Sequence, residues 1–186
     1  MCLPLYNNII ITLKHYRYRD PFVLPASPQQ RMSAGRAKVT LARGSPSDPV
    51  VAHRALQGYT AAHTRFGQGK AFNYCDQNFL SPSTLMYLKD MIGQLNHTVK
   101  DNLGFNVNNA QHMRNDGSTD VLMACVGMAL YPDIGARRTG AAAFSTEKGR
   151  KAKIHPASLN FKGKGAFPPT CKKSLELVGF QDLVRD

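Results

Sequence analysis

SPSTLMYLKDMIGQLNHTVKDNLG, residues 81–104, is the stretch that decides the architecture. Ser81 followed by Pro82 is a helix start: a serine side chain can satisfy an orphan N–H, and proline at the first helical position lacks a donor that would be unpaired anyway. From there Leu85, Leu88, Ile92, Leu95, Val99 and Leu103 recur at intervals of three or four, which lays one apolar stripe along a helix. Gly104 is the expected stop. A helix with a single apolar stripe requires other elements to cover it, and the flanking sequence must supply them.

Upstream, Ser45-Pro46-Ser47-Asp48-Pro49 repeats the start signal, with Ser47 or Asp48 as N-cap. Val51, Ala55, Tyr59, Ala62 and Phe66 then hold the helical spacing up to Gly67. The stretch around Cys75 is apolar-rich and looks helical, and so does the one around Cys125. Farther upstream, Pro21, Pro25, Pro28, Pro46 and Pro49 break the chain into irregular pieces. Between them Gln29 to Ala42 reads as one basic helix, with Arg31, Arg36, Lys38 and Arg43 near its surface and a boundary at Gly44. Downstream, Ser118 to Leu130 is apolar on nearly every side, which places it at the centre of the bundle, and Pro132 ends it.

After Tyr131 the helical period disappears and Gly, Ala and basic residues dominate. Lys153-Ile154-His155 and Leu175 to Phe180 read as short strands between Gly163, Gly165, Pro168 and Pro169. The expected fold class is α+β, mainly α and then β. Residues 1–44 form an irregular N-terminal segment, 45–134 a helical domain, and 135–186 a basic, partial β-domain. So few strands leave edges without partners, so the chain is expected to stop inside its second domain, with Leu175 to Val184 as an aggregation-prone edge.

Charge is the informative bulk quantity. Lys and Arg number 24 against 12 acids, a formal net charge of +12 among 186 residues. Between Arg137 and Lys173 lie Arg137, Arg138, Lys148, Arg150, Lys151, Lys153, Lys162, Lys164, Lys172 and Lys173, opposed only by Glu147. A polyanion is the natural partner for such a run, and nucleic acid is the commonest one. Phosphate contacts from these residues supply affinity without reading base sequence. Phe144 and Phe161 are candidates for stacking on bases. The bland alternative is a solvated basic loop.

The sequence carries no recognisable catalytic motif. Gly67-Gln68-Gly69-Lys70 lacks the spacing of a nucleotide-binding P-loop, and Ala71 stands where a magnesium-holding hydroxyl would be. No GxSxG, HExxH or paired carboxylates occur. Asp48 and His53 are explained by capping and surface exposure. Cys2, Cys75, Cys125 and Cys171 include no CxxC pair, so zinc is not expected, and Cys75 and Cys125 read as small buried hydrophobes in a reducing compartment. The apolar patches Leu3 to Tyr6 and Ile9 to Leu13 are too short for a membrane span, and no cleavage-site pattern follows them. An intracellular, soluble protein of the nucleus or cytoplasm is expected, with an organelle left open.

The order of motifs resembles the C-terminal region of DEAH/RHA-type ATP-dependent RNA helicases, in the branch of RNA helicase A and maleless. The resemblance is carried by Tyr18-Arg19-Asp20-Pro21-Phe22-Val23-Leu24-Pro25, Ser47-Asp48, Ala55-Leu56-Gln57-Gly58-Tyr59 and Phe72 to Cys75. It continues through Asn78-Phe79-Leu80-Ser81, Thr84-Leu85, Asp90 to Gln94, Leu130-Tyr131-Pro132 and Ile154-His155-Pro156-Ala157-Ser158-Leu159-Asn160. It covers the chain from about residue 16. Pro49 stands where the family usually has His, Tyr59 where it has Trp, and Pro156 where some members place Lys.

The resemblance implies a helicase-associated, ratchet-type helical domain that packs on a RecA-like motor, followed by the opening strands of an OB-fold that guides single-stranded RNA with low sequence specificity. His155 and Ser158 carry over from it as candidate RNA contacts, beside Arg150, Lys151, Lys153, Lys162 and Lys164 from the charge pattern. ATP and Mg are expected only for the parent helicase, with no cofactor in this chain. The leading reading is therefore a non-catalytic accessory part of an RNA helicase, with the motor in cis or in trans. The rival is a stand-alone basic RNA-binding adaptor of a ribonucleoprotein or helicase complex. A third reading is a degenerate product that does not fold stably.

Overall fold

The computed structural model describes residues 20–104, 118–138, 143–155, 157–161 and 175–179, with 138 and 175–179 as backbone. Five helices come first in this set: α1 (Pro28–Ala42), α2 (Asp48–Phe66), α3 (Gln68–Asn78), α4 (Pro82–Leu103) and α5 (Thr119–Leu130). Four strands follow: β1 (Ile134–Arg138), β2 (Phe144–Thr146), β3 (Lys151–Ala152) and β4 (Leu175–Gly179). The fold is α+β, as the spacing predicts.

The start and stop signals act as their chemistry requires. Ser81 Oγ accepts from Thr84 N at 3.3 Å, and Gly104 ends α4 at φ +66°. Ser118 Oγ accepts from Val121 N at 3.4 Å at the start of α5. The stretch around Cys75 is α3, which begins at Gln68, so Gly67-Gln68-Gly69-Lys70 is a helix junction.

The core is built where the stripes of α2, α3 and α4 meet. Ala55, Leu56 and Tyr59 of α2, Ala71 and Cys75 of α3, and Leu85 and Leu88 of α4 enclose one another with Leu80. Gly58 lets α2 and α3 approach closely, because a Cβ there would land on the Tyr74 ring. The irregular segment before α1 is pinned to the α3–α4 junction: Val23 N donates to Phe79 O and Ser81 N to Pro21 O, both at 2.8 Å. Phe22 then packs against the core from outside.

Arg54 of α2 donates its guanidinium to the carbonyls of Ala42 and Leu41 and, at 3.1 Å, to Thr119 Oγ1. It thereby satisfies the C-terminal carbonyls of α1, where a cation is favoured, and ties that end to the start of α5. Burial, and secondarily Arg43, lower its pKa from the ordinary value.

The apolar helix α5 does not occupy the centre of the bundle. Only Leu122 and Val126 of it are buried, against Val50, while Met128 is 72% exposed. The α2–α3–α4 core closes without it, so its all-round apolar character is not matched by all-round cover among the described residues.

The strands form one antiparallel sheet in the order β3-β2-β1-β4, in which Gly135 faces Thr146 and Val178, and Phe144 faces Ala152. The expected strand at Lys153-Ile154-His155 is displaced two residues upstream. β2 begins at Phe144, whose partner is Ala152, so among the described residues the backbone beyond Ala152 has no ladder to join. None of the described helices is long and apolar enough to cross a membrane.

Candidate nucleic-acid interface

The basic residues of the β2–β3 hairpin and its exit form one exposed run. Lys148, Arg150, Lys151, Lys153 and His155 all face solvent. The hairpin is closed by Thr146 N donating to Arg150 O at 2.9 Å and Arg150 N donating to Thr146 Oγ1 at 3.1 Å. Thr146 is itself buried, so the tip is held by its backbone while its cationic side chains stay free of the core. Glu147 is the acid in this stretch, and it too is exposed. Lys162 and Lys164 lie outside the described residues.

The aromatic candidates part company. Phe144 is buried at 4% exposure, with the Arg137 guanidinium 4.5 Å from its ring centre. Its face is covered and does not offer a base platform, which corrects the stacking expectation. Phe161 is half-buried and closes the turn that follows, its N–H donating to Ser158 O at 3.2 Å.

That turn, residues 157–161, is the feature that local sequence reading misses. Asp48 neither caps α2 nor stands in solvent, because Ser47 is the N-cap position and the Asp48 carboxylate is aimed across the molecule. Oδ1 accepts from Lys38 Nζ at 2.8 Å and from Leu159 N at 3.0 Å, and Oδ2 accepts from Ser158 Oγ at 2.6 Å. Lys38 is buried rather than on the surface of α1. Its ammonium also donates to Ala157 O at 2.9 Å and lies 5.0 Å from the Phe22 ring centre.

Asn160 Nδ2 donates to Pro46 O at 2.6 Å, and Leu159 is buried against Ala42 and Val51. An acid and a base buried together require such mutual satisfaction, since either alone would lose its hydration without replacement. The signal was present in principle: Lys38 sits one helical turn from Ala42, on the side of α1 that meets the core.

The candidate contacts His155 and Ser158 therefore differ. His155 is exposed, and its Nδ1 accepts from Ala157 N at 3.2 Å. The Ser158 hydroxyl gives its proton to Asp48 and accepts from Asn160 N at 3.2 Å.

The described residues thus form a helical bundle that carries a small antiparallel sheet with a cationic hairpin. The chain's relatives are DExH/DEAH-box RNA helicases. The chain is 38% identical over 147 residues to the DExH-box ATP-dependent RNA helicase DExH1 of Arabidopsis thaliana, a match covering 77% of this chain and 14% of that protein. It is 30% identical over 154 residues to DExH6 of the same plant, covering 77% of this chain and 11% of that protein. Human DHX36, an ATP-dependent DNA/RNA helicase, matches at 28% identity over 154 residues, 77% of this chain and 15% of its own length. The chain thus corresponds to a small part of each of these helicases. No protein-family model matches it.

Proposed function

We propose that this chain is the accessory C-terminal region of a DEAH/RHA-type RNA helicase, in which a ratchet-type helical domain packs on the RecA-like motor and an OB-like basic sheet guides single-stranded RNA. ATP binding and hydrolysis belong to the motor, since the 186 residues contain no P-loop or DEAH box. The observation that carries the reading is the solvent-facing run Lys148, Arg150, Lys151, Lys153 and His155 on one hairpin and its exit. Cations gathered on one exposed hairpin suit a phosphate chain, and contacts of that kind are tolerant of base sequence. The helicase relatives support the same direction.

The test is the combined substitution Arg150→Ala, Lys151→Ala and Lys153→Ala, with binding to several single-stranded RNAs measured across salt concentrations. Each lost phosphate contact removes about 0.7 from the slope of log affinity against log salt, so the slope should flatten by roughly 2. Affinity should fall about equally for every RNA sequence. Unchanged affinity at low salt would mean that the run is only solvated. RNA-stimulated ATPase activity of the purified chain would refute the assignment of ATP hydrolysis to a separate motor.

A further inference from the structure

We infer that Asp48, acting with Lys38, is a positioning residue for RNA: it fixes the 157–161 turn on the helices and so sets where Lys153 and His155 are presented. The inference rests on the RNA reading of the basic run. Asp48 opens α2, yet its two oxygens take three donors from α1 and from a turn about 110 residues further along the chain. A carboxylate that served only its own helix would be aimed at the first-turn N–H groups of that helix.

The link continues outward. Lys38 also holds Ala157 O, and the Ala157 N–H is donated to His155 Nδ1. Ser158 N donates to His155 O at 3.0 Å. Two directed bonds thus separate the exposed imidazole from the ion pair. Toward the helices the turn presents polar groups that are bonded, and the segment before it carries the exposed His155 and, two residues earlier, the exposed Lys153.

Removing Asp48 leaves Lys153 and His155 in the sequence but releases the turn that orients them. The RNA complex must then supply the ordering that the free protein no longer provides. This predicts a loss of binding without the loss of any cation.

The experiment uses the full chain and a fluorescent single-stranded oligouridylate, with anisotropy read from 50 to 200 mM KCl at a temperature where circular dichroism shows each variant folded. Asp48→Ala should weaken binding about 5- to 10-fold and flatten the salt slope by about 0.7 to 1.4. Lys153→Ala should remove about 0.7 from the slope of the native chain and nothing further in the Asp48→Ala background. Asp48→Asn, which keeps an acceptor for Leu159 N, should recover part of the affinity. Ser158→Ala removes one bond of the three and supplies a milder variant where Asp48→Ala does not fold; it should weaken binding about 2- to 3-fold.

A folded Asp48→Ala chain that binds as tightly as the native one overturns the inference, and so does a Lys153→Ala effect that persists in full in that background. If the triple substitution of Arg150, Lys151 and Lys153 weakens binding while the Asp48 variants do not, the positioning role alone falls. If the triple substitution changes nothing, the RNA reading falls and the positioning role falls with it.

Discussion

Replacing Asp48 by alanine should cost more stability than any other single surface-proximal change in the described residues, and the size follows from its contacts. The ion pair to Lys38 is 2.8 Å long between side chains only 11% and 17% exposed. Deleting one partner of a fully buried pair costs about 3–5 kcal/mol, because the survivor is left desolvated; partial exposure moves this case to the lower end, about 3 kcal/mol. The Lys38 ammonium keeps Ala157 O and the Phe22 ring, which softens the loss. Against that, the donors of Ser158 and Leu159 lose their acceptor, and the α2 N-terminus loses a negative charge worth about 0.3–1 kcal/mol.

A net cost of about 3–4 kcal/mol is a large part of the ~5–15 kcal/mol that holds a domain together. It corresponds to a fall in Tm of roughly 6–15 °C for a chain of this length. The chain has no Trp, so urea unfolding is best followed by far-ultraviolet circular dichroism. Lys38→Met combined with Asp48→Ala should cost clearly less than the sum of the two single changes, with a coupling of about 1–3 kcal/mol. A single-variant cost below about 1 kcal/mol, or a coupling near zero, would show that the buried pair does not hold the turn.

Gly58→Ala should destabilise by about 1–3 kcal/mol, because the added methyl meets Oη and Cζ of Tyr74 with Cε2 at 3.0 Å; a companion Tyr74→Leu change should recover part of it in the same urea titration. Arg54→Ala should cost about 1–2 kcal/mol by freeing the carbonyls that close α1, and hydrogen exchange should quicken in the last turn of α1 and the first turn of α5. Burial, with a contribution from Asp76, pushes the Cys75 thiol up from 9.0 to about 11, so a thiol reagent at pH 8 should label it only after unfolding. Because the folded value is the higher one, its contribution is fully present below pH 9 and is lost as pH rises through about 11. Roughly 2–3 kcal/mol of stability should disappear across that window, less so in Cys75→Ala.

The helices were legible because their signals are local. Ser81, Pro82 and Gly104 mark α4 from within a few residues, and of its apolar stripe Leu85, Leu88 and Val99 are buried, Ile92 and Leu95 are half-buried, and Leu103 at the C-terminal end is exposed. What failed was the inference from a residue's own character to its surroundings. Lys38 reads as a solvated lysine and Asp48 as a cap, because the partner of each lies on another element and only the fold brings them together. α5 reads as central because it is apolar, but apolar character fixes what a helix would gain from cover and not where cover is supplied. Strand β1, Ile-Gly-Ala-Arg-Arg, carries one β-branched residue and no alternation, so pairing with β2 and β4 makes it a strand where propensity does not.

The same distinction explains how a small sheet becomes a fixed platform. Strands of two to five residues cannot hold their own geometry. Burial of Leu159 against Ala42 and Val51 draws the turn toward the helices, but apolar burial is not directional, and a leucine can be accommodated at more than one orientation of the backbone that carries it. Direction comes from the carboxylate of Asp48, whose two oxygens receive a backbone N–H, a hydroxyl and an ammonium at separate positions. Few orientations of residues 157–161 satisfy the hydroxyl and N–H bonds to Asp48 and the Ala157 carbonyl's bond to Lys38 at once. The exposed cations Lys153 and Lys151, four and six residues upstream, inherit that orientation through the backbone, so the geometry of the basic run depends on a pair of residues that carry none of its exposed charge.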